Sequence, residues 1–240
     1  MKAQVLFALF ASLQLAYGQS SSPEIVPVPG GLNGTGITTR YWDCCKPSCG
    51  WFVPSTNVKT PVETCAANGV NPIDANAQSG CDDDGVAYMC NDQQAWVVND
   101  TLSYGFVAAS FTGGADTSQC CRCVLLSFQG RLLGKHLLAQ ITNTGGDLYQ
   151  NHFDIAIPGG GVGLFRRGCM TQWNTTVNGW GDPITGVASE NECSELPEVL
   201  QPGCDWRFEF LEGVDNPDVV FQEVECPADL IAVTKCTALS

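Results

Sequence analysis

The sequence predicts an all-β, or mainly β, protein: a small barrel that carries long loops. Three features predict it. Short stretches alternate apolar and polar residues with the two-residue period of a half-buried strand. Gly- and Asn-rich segments separate them, in a chain of 240 residues with 26 Gly and 13 Pro. Helical signals are few and short. Strands with frequent turn signals and little helix form the pattern of a β-barrel.

Taken in chain order, residues 1–18 (MKAQVLFALFASLQLAYG) read as a signal peptide. Lys2 is its positive start, Val5 to Leu15 is an apolar core too short to span a bilayer, and Ala16-Tyr17-Gly18 sets small residues where a signal peptidase reads. Cleavage after Gly18 removes Lys2 and takes the formal charge from −14 to −15. Residues 19–36 (QSSSPEIVPVPGGLNGTG) are rich in Ser, Pro and Gly and read as a short extended leader. No other stretch is apolar enough for a membrane span, so the expected location is secreted and extracellular. Further on, KHLLAQ around His136 and CVLLSF read as strands. In HFDIAIP, Phe153, Ile155 and Ile157 share one face, and His152, Asp154 and Ala156 the other. In WRFEF, Trp206, Phe208 and Phe210 alternate with Arg207 and Glu209, and this too reads as a strand, as does VVFQEV. Gly159 to Gly163 (GGGVG) lacks the spacing and following helix of a dinucleotide loop and reads as a turn. Ser194 caps a turn through Glu198 to Leu200, stopped by Pro202-Gly203, and Pro227 starts a short helix through Ala232.

Composition excludes several kinds of chemistry. Acidic residues outnumber basic ones 25 to 11, so the chain has no general basic face for a phosphate backbone, and no nucleic-acid partner is expected. Two histidines, His136 and His152, rule out a multi-His metal site, and no metal or other cofactor is expected. The 14 cysteines, all between Cys44 and Cys236, read as disulfides in an oxidising compartment. They define one cross-linked domain of about two hundred residues. Neighbouring side chains on an extended chain point to opposite sides, so Cys44-Cys45 and Cys120-Cys121 each bridge in two directions, while Cys121 and Cys123 share a face. Spacing leaves the connectivity open. Sequons at Asn33, Asn99 and Asn174 mark candidate glycosylation sites.

Elimination then narrows the catalytic candidates. No G-x-S-x-G elbow occurs, and an even cysteine count leaves no free thiol. What remains is carboxylates in aromatic company. Asp43 follows Tyr41 and Trp42 and precedes two cysteines in TRYWDCCKPSCGW. Asp154 lies on the polar face of HFDIAIP, and Asp147 lies in the glycine-rich TNTGGDL.

Thr38 to Trp51, TTRYWDCCKPSCGW, resembles the signature of glycoside hydrolase family 45, the small secreted endoglucanases. Further similar segments follow: SGCDDDGVAYMC, CCRC, TNTGGDL, NHFDIAIPGGGVG, NECSELP, PGCDWRF and DNPDVVFQEVECP, covering about residues 36 to 236. The resemblance implies a six-stranded double-psi β-barrel with long disulfide-linked loops and a few short helices. It makes residues 37–240 the catalytic domain, with no carbohydrate-binding module in the chain. It implies inverting hydrolysis of internal β-1,4-glucosidic bonds in cellulose and related glucans by a monomer. It places the base on Asp43, the acid on Asp154 and an assisting loop carboxylate on Asp147, with Tyr41, Trp42, Trp51 and His152 contacting substrate. The implied disulfides are Cys44–Cys169, Cys45–Cys81, Cys49–Cys120, Cys65–Cys90, Cys121–Cys236, Cys123–Cys226 and Cys193–Cys204. The acid must stay protonated, which requires surroundings that raise its pKa above about 3.9. The rival reading is a non-hydrolytic, expansin-like wall-loosening or glycan-binding protein, which shares the barrel but lacks the base. The basic Phe165-Arg166-Arg167-Gly168 loop has no assigned role and reads as a solvated turn.

Overall fold

A computed structural model describes residues 23–52, 58–114, 116–145 and 150–239. The signal-peptide segment 1–18, the first residues of the leader and Asp147 lie outside the described residues. The strands are β1 (Asn33–Tyr41), β2 (Val58–Thr60), β3 (Thr64–Cys65), β4 (Pro72–Ile73), β5 (Trp96–Asn99) and β6 (Leu102–Ser110). They continue with β7 (Cys123–Phe128), β8 (His136–Thr144), β9 (His152–Ala156), β10 (Val219–Val224) and β11 (Thr237–Ala238). Three short helices complete the regular structure: α1 (Arg167–Trp173), α2 (Gln201–Glu209) and α3 (Ala228–Thr234).

One sheet runs β5-β6-β8-β7-β10-β1-β9, and a further β6–β9 pairing closes it, so six strands form a barrel. Closure leaves β6 and β9 no open edge against each other. Two pairs, β6–β8 and β1–β9, are parallel, and the other barrel pairs are antiparallel. This is the six-stranded closure that the family resemblance implies. The alternation read in HFDIAIP holds: Phe153, Ile155 and Ile157 all enter one apolar cluster with Val107, Leu126, Ile141 and Phe221. Each such ring or branched chain, fully buried, stabilises by about 1.5–3 kcal/mol. A second cluster, with Tyr104, Phe106 and Leu138, packs under the loops on the other face of β6 and β8. β6 is buried along its whole length, so both of its faces are covered.

Four expectations change. WRFEF is not a strand: Trp206 and Arg207 lie in α2. The alternation misleads because Trp206 and Phe210 are also four residues apart, the spacing of one helix face, and their rings stack at 5.6 Å. Trp206 Nε1 donates to Ser103 Oγ at 2.9 Å, which docks α2 on β6. Pro202 does not stop a helix but stands in the first turn of α2, where its missing N–H costs nothing. Asn33 to Gly36, assigned above to the leader, pair in register with β10 and belong to the barrel. Cys121 does not share a strand face with Cys123, because its φ of 67° is left-handed and β7 begins only at Cys123. The expected start of the last short helix, after Pro227, matches α3.

Seven disulfides form, with the same pairs that the resemblance implies. Each adjacent cysteine pair does bridge in two directions, but not from an extended chain. Cys44 and Cys121 both sit at left-handed φ, and the kink is what separates each from its neighbour. Among the described residues no helix is long and apolar enough to cross a membrane.

Candidate active site

The parallel pairing of β1 with β9 assembles the site. Ile37 stands opposite His152, Thr39 opposite Asp154 and Tyr41 opposite Ala156. Residues two apart on a strand share a face, so with Phe153 and Ile155 in the core, His152 and Asp154 face outward. Thr39, Arg40, Tyr41, His152 and Asp154 line one pocket of about 340 Å³, closed on its far side by Gly163, Leu164, Ile184, Thr185 and Asn216.

Thr39 joins the two β9 side chains. Its Oγ1 donates to Asp154 Oδ1 at 2.6 Å and lies 2.8 Å from His152 Nε2. A hydroxyl has one proton. Given to Asp154, it leaves Thr39 only as acceptor toward His152, so Nε2 is the nitrogen that carries the hydrogen. This relay engages Oδ1 as an acceptor, and a transferable proton on this carboxyl therefore belongs on Oδ2.

Arg40 forms part of the wall. Its guanidinium binds Asp215 at 3.0 Å, Thr185 O at 2.7 and 3.1 Å, and Asn216 Oδ1 at 3.2 Å. Arg207 bonds the same Asp215 oxygen at 3.0 Å. Two guanidinium groups on one carboxylate hold the 215–217 turn against the pocket. Burial lowers the pKa of Arg40, and Arg207 beside it adds to that, while Asp215 and Asp154 oppose both.

Asp43 lies two residues beyond Tyr41 and is only 6% exposed. The left-handed Cys44 turns the chain back, and Asp43 Oδ1 accepts from Cys45 N at 2.9 Å. Bridges from Cys44 to Cys169 and from Cys45 to Cys81 anchor this turn on both sides. Gly168 packs on it so closely that a Cβ there would stand 2.3 Å from Asp43 O. The Gly168 of the FRRG loop therefore has a packing role. Burial raises the Asp43 carboxyl from 3.8 to about 6, against the lowering effect of the Cys45 N–H. Burial also raises the Tyr41 hydroxyl well above 10, and the charges of Asp43 and Asp154 push it further. Asn143 Nδ2 donates to that hydroxyl at 3.4 Å. Tyr41 is thus a ring within the field of both carboxylates.

The remaining expected site residues divide. Trp42 is 2% exposed and part of the core cluster, so it has no face to offer a sugar and is corrected from platform to packing residue. Its backbone N–H bonds Gly161 O at 2.7 Å, which seats the glycine turn beneath the site. Trp51 is half-buried, and Lys46 Nζ sits 3.4 Å above its ring while donating to Ala75 O and Ala77 O. One face of Trp51 is thereby taken by a cation whose pKa burial lowers to about 8. Thr39, Arg40 and Asp215 were not among the expected site residues. The signal for Thr39 is its two-residue step to Tyr41 in TTRYWD, which puts both on one strand face. Among the described residues no group of three or more His, Cys, Asp or Glu side chains forms a metal-binding cluster.

Comparison with known proteins identifies the family. The model of glycosyl hydrolase family 45 matches residues 35–237. An endoglucanase of Phaedon cochleariae is 55% identical over 233 residues, covering 97% of this chain and 96% of its own length. An endoglucanase of Cryptopygus antarcticus is 47% identical over 214 residues, covering 88% of this chain and 93% of its own. The crystal structure of the cellulase from that Antarctic springtail superposes with a TM-score of 0.81 at 47% identity, over 86% of this chain and 98% of the other. With a family match spanning nearly the whole barrel and a 55% identical relative along nearly its full length, the chain belongs to glycosyl hydrolase family 45.

Proposed function

We propose that the protein is a secreted endo-β-1,4-glucanase that cuts internal bonds of cellulose and related β-glucans with inversion. Asp43 is the base and Asp154 the acid. The observation that carries this reading is the pair of carboxyl groups in different housings around Tyr41: Asp43 buried behind it, Asp154 in the pocket with Oδ1 held by Thr39.

In this reaction Asp154 gives its Oδ2 proton to the glycosidic oxygen as the bond to the anomeric carbon breaks. Asp43 takes a proton from a water that attacks the opposite face of the same carbon. Inversion requires about 6.5–9.5 Å between the carboxyl groups, which leaves room for that water. A base raised to about 6 is stronger than an ordinary aspartate and still ionised near neutral pH. The His152–Thr39–Asp154 relay orients the acid. Asp147 assists from its loop, and Tyr41 and Trp51 contact the sugar chain. The signal peptide and the exposed sequon Asn33 fit a secreted glycoprotein.

The test is Asp43→Asn and Asp154→Asn assayed on carboxymethyl cellulose for reducing sugar, with product anomers followed by NMR. Both variants lose hydrolysis and still bind cello-oligosaccharides. Substantial activity in either variant overturns the assignment, and a product of retained configuration overturns inversion. Binding without hydrolysis by the wild-type protein would favour the expansin-like rival.

A further inference from the structure

A second open groove, of about 560 Å³, lies where α1 ends. It shares no lining residue with the Asp154 pocket. Two tryptophans, Trp173 and Trp180, border it. Both are half-buried and pack against the main apolar cluster, which fixes the orientation of their rings. The local sequence brings them together. Asn174, left-handed at φ 54°, ends α1 and turns the chain. Thr176 to Gly179 makes a tight turn, with Gly179 N on Thr176 O at 3.0 Å and Asn178 N on Thr176 Oγ1 at 3.2 Å. Gly179 and Gly181, at φ 68° and 75°, flank Trp180 as the chain returns. A Cβ at Gly179 would meet Val162 at 2.6 Å, so the turn sits against the segment whose next residues, Gly163 and Leu164, line the Asp154 pocket.

The chemistry of this groove is specific. Asn174, Asn178 and Glu195 border the indoles; no lysine or arginine lines the groove itself, and Arg166, outside the lining, donates to Asn178 Oδ1 at 3.5 Å. Its volume falls in the range of small-ligand sites, about 300–1,000 Å³. A pyranose has flat C–H faces that stack on an indole and equatorial hydroxyls that bond amides and carboxylates. Glu195 is the sole carboxylate of the lining, so the two-carboxylate hydrolysis of a glycoside has no second partner here. We infer that the Trp173–Trp180 groove is a second, non-catalytic β-glucan-binding site that holds the polysaccharide while the Asp43–Asp154 centre cuts it. Engagement of two sites by one polymer raises the effective substrate concentration at the catalytic one. The inference rests on the glucanase reading above.

The test measures adsorption on insoluble microcrystalline cellulose beside hydrolysis of soluble carboxymethyl cellulose, for wild type, Trp180→Ala and the double variant Asn178→Ala/Glu195→Ala. The double variant leaves both indoles in place and guards against a Trp180→Ala protein that misfolds. Adsorption falls roughly tenfold, the change expected from losing about 1.4 kcal/mol of stacking and hydrogen bonding. Soluble-substrate activity stays within about twofold, since neither variant touches the catalytic groups. Adsorption equal to wild type in the double variant, or in a folded Trp180→Ala protein, overturns the inference and leaves the glucanase reading standing. Absence of hydrolysis by wild type overturns the glucanase reading itself. Increased adsorption by Asn174→Gln would show the groove filled by the chain's own glycan, and would also overturn it.

Discussion

Replacing Asp43 with Asn should stabilise the protein while abolishing catalysis, and the gain should depend on pH in a defined way. The carboxyl moves from 3.8 to about 6 on folding because burial disfavours its charge. At 1.36 kcal/mol per unit this amounts to about 3 kcal/mol. The folded state holds the proton more tightly than the unfolded chain. The stability linked to it is therefore complete below pH 3.8, falls as pH rises from there to about 6, and changes no further above. Asparagine carries no charge to desolvate, and its Oδ1 can still accept from Cys45 N. At pH 7 the Asp43→Asn variant should melt about 6–12 °C above wild type, at about 2–4 °C per kcal/mol for a domain of this size. At pH 3.5 the two proteins should melt together. Calorimetry across that range, with disulfides intact, checks it. A melting difference that is the same at both ends, or an Asn variant less stable at pH 7, would refute the claim that desolvation dominates at Asp43.

The remaining expectations concern the same residues and their supports. Because the base must be ionised, kcat/KM should rise with pH through about 6, and a pH-rate profile that stays flat there would remove Asp43 from that role. Thr39→Val removes the hydroxyl between His152 and Asp154 and should lower kcat roughly 5- to 100-fold, matching the loss of two hydrogen bonds between uncharged groups at about 0.5–1.5 kcal/mol each, with little change in melting temperature. Cys193→Ser with Cys204→Ser opens a loop of sequence separation 11 and should cost about 3 kcal/mol, read by denaturant unfolding. Trp206→Phe leaves Ser103 Oγ without its partner in a fully buried position and should cost about 1–3 kcal/mol in the same assay.

Legibility varied with what each residue faces. Phe153, Ile155 and Ile157 could be read because one side of β9 is core and the other is cleft, so its period of two survives in the letters. β6 left no such trace, since covering both faces erases alternation. WRFEF misled because residues at i and i+4 satisfy a strand and a helix equally, and only the disulfide at Cys204 and the docking of Trp206 on Ser103 decide between them. Asp154 was marked by its place on the polar face. Asp43 was marked by its aromatic and cysteine neighbours, but its role came only from the family signature, and nothing local in Trp42-Asp43-Cys44 announces a left-handed turn at Cys44. Arg40 and Asp215 are joined across 175 residues of sequence by folding alone, a partnership that no spacing rule contains.

The barrel's closure also dictates the order in which the protein can be made. β1 is held between β9 and β10, and Leu32 N bonds Glu223 across 191 residues. On the ribosome, the first barrel strand therefore waits, unpaired, until almost the last strand has emerged. Cys45–Cys81, Cys65–Cys90 and Cys49–Cys120 need only the first half of the chain and can close early, whereas Cys44–Cys169 and Cys121–Cys236 cannot. Long-range pairing of this kind makes folding slow and leaves apolar edges open to wrong partners. The early bridges give the nascent chain a partial frame, and Cys44 must stay reduced beside an already oxidised Cys45 until its own partner arrives. Oxidative folding should accordingly pass through intermediates in which Cys44 is free, and those intermediates lack the turn that holds Asp43.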